Sequence, residues 1–217
     1  MKPRLSQKRD TAMSLFEVGL VIAVLVILVA VFLPRTARLH SPEIACSNNL
    51  KQIGLAYRIW EGDNGDISPM GVSITNGGVR ELVSTGNVVS VFQVMSNELS
   101  TPRILVCPLD TRRPAIDFTG LKNANISYFI GVDVTNDSTP NPLLIFSGDS
   151  DLGPGGAPAK PGLQSFWTND PVGWSATRHV RKGNIGLADG SVDTLSSNQL
   201  HTYFVATGLA TNRLAIP

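Results

Sequence analysis

The sequence predicts an α+β protein in which a long N-terminal helix, half membrane-embedded and half stalk, packs on a small antiparallel β-sheet body. Three observations carry that expectation. Residues 13–33 form an almost uninterrupted apolar run, residues 41–60 repeat apolar side chains at helical spacing, and an Asp-Gly turn near the C-terminus joins two alternating segments. The implied layout is a basic leader at 1–12, an apolar helix at 13–34, a stalk helix at 35–62 and a β-rich body at 63–217.

The first two elements are read from charge and hydropathy. The leader "MKPRLSQKRDTA" carries Lys2, Arg4, Lys8 and Arg9 against Asp10, whereas only Arg35 and Arg38 lie between the apolar run and His40. Positive residues stay in the cytoplasm, so the N-terminus is expected inside and the body outside. Met13 to Leu33 is 21 residues, enough to span a bilayer at ~1.5 Å per residue. A removed secretory signal would have a shorter apolar core and a small-x-small cleavage site, and "PRTARLH" offers none. Glu17 is the anomaly. A carboxylate inside a membrane costs ~2.5 kcal/mol or more at the centre and marks a function shared with a cation. Its place near the cytoplasmic end avoids part of that cost.

The stalk begins with Ser41 as N-cap and Pro42 at the first helical position. Cys46, Leu50, Ile53, Tyr57 and Trp60 then recur at spacings of four, three, four and three, one face of a helix that packs on the body. Gly54 weakens this helix, and Pro34 and Pro42 are positioned to kink it. "EGDNGDISPMG" supplies the stop.

Within the body, Val88, Val91, Phe92, Met95 and Leu99 predict a short helix. "RILVC", "ISYFIGV" and "PLLIFSG" read as strands, and "VTNDSTPNP" and "GDSDLGPGGAPAKPG" as surface loops. "GNIGLADGSVDTL" predicts a hairpin with a two-residue type I′ turn at Asp189-Gly190, placing Leu187 opposite Val192 and Ile185 opposite Thr194.

The chain has 217 residues and a net charge of +1, with no basic stripe carrying interleaved aromatics, which sets nucleic acid aside as a partner. Cys46 and Cys107 are the only cysteines, an even pair that suits a disulfide outside the cytoplasm; two buried free thiols are the alternative. Their 61-residue separation would make the bond worth roughly 4 kcal/mol. His179 is a candidate ligand or base with Arg178, Asp189 or Asp193, set against the plainer expectation of a hydrogen-bonded structural histidine. Asp63 with Asp66, and Asp149 with Asp151, could offer oxygens to calcium but lack the loop pattern of a calcium hand, and solvated turns are the simpler expectation. No G-x-S-x-G or Gly-rich phosphate loop is present, so neither catalysis, nor a cofactor, nor a metal is expected.

The stretch Ala12, Met13, Ser14, Leu15, Phe16 and Glu17 resembles the N-terminus of type IV pilins and type II secretion pseudopilins. In that family a short basic leader precedes a small residue, the cleavage point and a Glu five residues on, and Pro34 falls where such helices often carry proline. The resemblance implies cleavage by a prepilin peptidase between Ala12 and Met13, methylation of the new amine, and pairing of Glu17 with an N-terminal amine during assembly. Ala12 stands where the family usually has Gly. Cleavage there would remove four positive charges and one negative, taking the net charge from +1 to −2. His179, nine residues and then Asp189-Gly190, together with "CSNNLKQIGLAYRIWEGDNG" and "CPLD", is similar to bacterial prepilin-like proteins with an H-X9-DG C-terminal motif. It implies other pilin-like subunits and the inner membrane as partners. The rival reading is a permanently signal-anchored periplasmic binding module, which Ala12 favours, whereas Glu17 and the H-X9-DG pattern favour the pilin-like one.

Overall fold

A computed structural model describes residues 15–32, 42–135 and 141–217. It divides into two compact units, 1–40 and 41–217. The first contains helix α1, Leu15–Phe32, in which Leu15 through Val29 are exposed. Apart from Glu17 in its first turn, the helix is apolar on every side, so no face marks out a core. Among the described residues no helix is long and apolar enough to cross a membrane. The 18 residues of α1 amount to about 27 Å, and the expected span's Met13, Ser14 and Leu33 lie outside the described residues, as do Ala12, Pro34 and Ser41.

The second unit is α+β. It begins with α2, Pro42–Asp63, the described part of the expected stalk helix. Cys46, Leu50, Ile53, Tyr57 and Trp60 are all buried, so the face read from the spacing is the one the body covers. Short helices α3 (Arg80–Val83), α4 (Val88–Val94) and α5 (Ser96–Leu99) follow. The helix expected from Val88 to Leu99 is thus two pieces broken at Met95, and all five of its apolar positions are buried. "RILVC" is not a strand: Thr101 caps and Pro102 starts a 3-10 turn over Pro102–Leu105.

Eight strands are described: β1 (Tyr128–Gly131), β2 (Ile145–Asp149), β3 (Leu152–Pro154), β4 (Gly162–Trp167), β5 (Val172–Trp174), β6 (Lys182–Leu187), β7 (Val192–Ser196) and β8 (Thr211–Ile216). Six form an antiparallel sheet in the order β4-β8-β1-β2-β6-β7, and β3 pairs with β5 apart from it. Between β7 and β8, helix α6 (Ser197–Ala206) is capped reciprocally by Ser196 and Gln199. One face of the sheet, with Tyr128, Ile130 and Phe146, packs with α2 and the short helices. The other, with Phe129, Ile185 and Leu214, packs with α6 and Trp174 of β5.

Two glycines of β6 let rings lie against that strand. A Cβ on Gly186 would sit 2.4 Å from Phe146, and one on Gly183 would sit 2.5 Å from the Trp174 ring. Phe146 in turn stacks on Tyr57 of α2 with centroids 5.0 Å apart, and Gly54, expected only to weaken the helix, faces that ring.

The hairpin forms, with a different turn from the one expected. Gly190 alone of the Asp-Gly pair has positive φ, at 87°, and the backbone bonds Gly190 N→Leu187 O and Leu187 N→Ser191 O close a three-residue loop. This is the turn in which a residue in the left-handed region follows a type I bend. Register therefore moves by one: Gly186 faces Val192, Ile185 faces Asp193 and Asn184 faces Thr194. Ile185 is still buried, and Asn184 and Thr194 come to share the α2 side of the sheet, where they serve the site described next.

Candidate functional site

The segments that stood out in the sequence converge behind the N-terminal turns of α2. Cys46 on α2 is bonded to Cys107, which follows the 3-10 turn, with S–S 2.05 Å and Cα atoms 4.9 Å apart. Three residues beyond Cys107, Asp110 accepts from Arg178 Nη2 at 2.9 Å and from Ser127 Oγ at 2.7 Å. The neighbouring His179 turns its Nε2 to within 3.6 Å of Cys107 Sγ and 3.3 Å of Asp149 Oδ2. "CPLD" and Arg178-His179 are thus paired strips, each providing one residue at the disulfide and one at the ion pair.

Asp149, at the end of β2, is fully buried. Its Oδ2 accepts from Asn184 N at 2.7 Å and Asn184 Nδ2 at 2.8 Å, while Thr194 Oγ1 donates to Asn184 Oδ1 at 2.7 Å. Tyr128 donates to the Cys46 carbonyl at 3.3 Å, and Asn49 Nδ2 to the Val106 carbonyl at 3.1 Å, tying both flanks of the disulfide. Asp151, also buried, accepts from Ser175 Oγ at 3.2 Å. Asp149 Oδ1 and Asp151 Oδ1 have no hydrogen-bond partner among the described residues.

Burial sets the electrostatics. It pushes the Asp151 carboxyl up to about 6 against the pull of Arg178, with the like charge of Asp149 adding to the rise. For His179 burial opposes the charge, yet its bond to Asp149 and the fields of Asp149 and Asp151 outweigh this and raise its pKa. The backbone after His179 is strained: Val180 and Arg181 both have positive φ, 50° and 61°, a region a β-branched residue rarely enters. Bonds from Lys182 N to His179 O and from Arg181 N to Ser175 O hold this corner.

The expected neighbours of His179 are therefore corrected. Asp189 lies in the hairpin turn, accepting from Ser191 N at 2.8 Å, and Asp193 accepts from Tyr203. The aspartate that meets the histidine is Asp149, in a segment read as a surface loop because Gly, Asp and Ser dominate it. Asp149 and Asp151 are accordingly not solvated turn residues. Asp63 and Asp66 lie elsewhere, at the end of α2.

The nine-residue spacing also gains a meaning. Strand β6 separates His179 from Asp189-Gly190, about 20 Å for six residues. At one end His179 meets the disulfide to Cys46; at the other Arg58 Nη1 donates to Ala188 O at 3.5 Å. Cys46 to Arg58 spans about 18 Å of helix, so the two motif ends fasten β6 along α2 at matching lengths.

Several clefts open on the second unit. One of about 230 Å³ is lined by Glu43, Ser47, His179, Lys182, Asn184 and Thr194, and so reaches the buried cluster. Another, about 780 Å³, lies against Trp174, Arg181, Ser197, Asn198 and His201.

Glu17 stands in the first turn of α1, where the positive end of the helix dipole favours a carboxylate. It belongs to the other unit.

No protein-family model, curated protein or solved structure matches this chain.

Proposed function

We propose that this chain is a pilin-like or pseudopilin-like structural subunit, made as a membrane-anchored precursor with its body in the periplasm. The observation that carries the reading is α1: apolar on all sides from Leu15 to Val29, with Glu17 its one carboxylate. Such a helix is at home only among lipids or other apolar helices. A bundle of like helices would bury Glu17, which an amine beside it would neutralise. Leader removal between Ala12 and Met13 creates that amine, and the prepilin peptidase performs the chemistry. The chain itself carries out no turnover in this scheme; other pilin-like subunits and the inner membrane are its partners. The disulfide and the clamped strand β6 suit a body that must stay folded outside the cell's reducing interior.

Glu17→Ala tests the proposal. Removing one partner of a buried ion pair costs ~3–5 kcal/mol, so the variant should insert into membranes normally yet be depleted from sheared or cross-linked filaments. Normal incorporation would remove the role given to Glu17.

A second reading has its own support. The 780 Å³ cleft, with Arg181 and His201 among its polar lining, suits a permanently anchored binding module for a polysaccharide or a protein. An uncleaved Ala12–Met13 bond would favour it.

A further inference from the structure

The two sulfurs and the imidazole nitrogen at His179 lie close enough together to serve one metal ion. Bonds of 2.0–2.3 Å to a tetrahedral ion put its donors about 3.3–3.8 Å from one another. His179 Nε2 lies 3.6 Å from Cys107 Sγ and 3.3 Å from Asp149 Oδ2, and the two sulfurs and the imidazole nitrogen fall within 4.8 Å of one another. All four side chains are buried. Asp149, whose Oδ2 also accepts from Asn184 N and Nδ2, places a carboxylate charge beside the imidazole.

We infer that reduction of the Cys46–Cys107 disulfide converts this cluster into a site for a zinc-class divalent ion, held by two thiolates and the His179 imidazole, with its fourth position open to the neighbouring cleft. Two cysteine sulfurs and an imidazole suit zinc rather than calcium or magnesium, which prefer oxygen alone. A phosphine reductant supplies the two electrons: it attacks one sulfur, the S–S bond breaks, water delivers oxygen to phosphorus, and its two protons go to the sulfurs. The products are a phosphine oxide and two thiols. Binding of the ion then releases both thiol protons to solvent. The sulfurs must part to about 3.7 Å, a side-chain movement at the second turn of α2. Asn184, bonded to Asp149 through its backbone and side-chain nitrogens, fixes that carboxylate beside His179. The 230 Å³ cleft bordered by Glu43 and Ser47 provides the way in. In the oxidised chain neither sulfur is a thiolate and the site is closed, so ion binding would report the redox state of the body. This inference is independent of the filament reading.

The test uses the full chain, purified in detergent, with and without phosphine reduction, titrated with cobalt(II) and then zinc(II). The expected result is one cobalt per reduced chain with the intense ligand-field and sulfur-to-cobalt absorption of a tetrahedral thiolate site. Zinc should displace it, and the oxidised chain should show no such spectrum. His179→Gln, shown folded by circular dichroism, should weaken zinc binding by at least about tenfold in competition with a chelator. Three outcomes overturn the proposal: a reduced wild-type chain that takes up no cobalt, one that unfolds on reduction and is not restored by zinc, or equal uptake by oxidised and reduced chains. Undiminished zinc affinity in folded His179→Gln would remove His179 from the site.

Discussion

Helices α1 and α2 both come from the first 63 residues, and they solve opposite problems. In α2 one stripe, Cys46 to Trp60, is covered by the sheet with its flanking helices, while Ile44, Leu55 and Ile59 stay exposed. In α1 apolar residues cover every side, and Leu15 through Val29 remain exposed. A one-sided stripe needs one neighbour, which the same chain can provide. An all-round apolar surface needs a surrounding medium, lipid or a bundle, which one chain of this size does not provide. The body also invests where α2 enters it: a disulfide, a buried His–Asp pair and a strand fastened at both ends.

The largest expected effect would break α2 away from the body. Cys46→Ala with Cys107→Ala should lower unfolding stability by roughly 4 kcal/mol in the simplest loop-entropy estimate, read as a fall in the urea midpoint. A loss below about 1 kcal/mol would mean that packing alone secures α2.

Leu50→Ala should cost ~2–5 kcal/mol through the cavity it leaves, whereas Leu25→Ala in α1 should move the body's midpoint by less than about 0.5 kcal/mol. Equal effects would mean that α1 belongs to the body's core.

A smaller effect sharpens the contrast by pH. The Asp151 carboxyl titrates at about 6 in the folded chain against an ordinary 3.8, and His179 titrates above its ordinary 6.5. Both groups bind protons more tightly when folded. The stability Asp151 contributes is complete below its unfolded value and is lost as the pH rises through about 6; that of His179 is complete below 6.5 and is lost as its raised pKa is passed. The body should therefore lose stability from about pH 4 to about 6 as Asp151 titrates, and again above 6.5 as His179 does. Asp151→Asn should flatten that loss by on the order of 1–2 kcal/mol, measured as denaturant midpoints across the range. An unchanged slope would mean that Asp151 stays solvated.

Much of α2 was legible because a 3.6-residue period survives burial: Cys46, Leu50, Ile53, Tyr57 and Trp60 were readable before the fold, whereas the buried Ala56 and Glu61 were not. The hairpin's place was legible too, but not its register. Asp-Gly serves both a two-residue turn and a three-residue turn ending in a left-handed glycine, and the choice rests on backbone bonds the residues do not announce. Helix α6 carried an unread signal, Ser196 with Gln199 three residues on before Leu200. Strand β8 carried less: Thr211 to Ile216 is inserted between β4 and β1, a placement that only the sheet decides. The site was half visible. Cys46, Cys107 and His179 stood out as reactive types, but Asp149 lay in a stretch whose Gly and Ser looked like loop, and it meets His179 across 30 residues. Glycines 183 and 186 likewise make room for rings supplied by other strands.

The central claim is that α1 is an assembly helix released from a basic leader. The most direct test is the intact mass of the chain from membranes of cells with and without an active prepilin peptidase. The account predicts loss of residues 1–12 and gain of one methyl group only when the peptidase is active. An unchanged precursor in both would contradict it and leave α1 as a permanent anchor for a binding body.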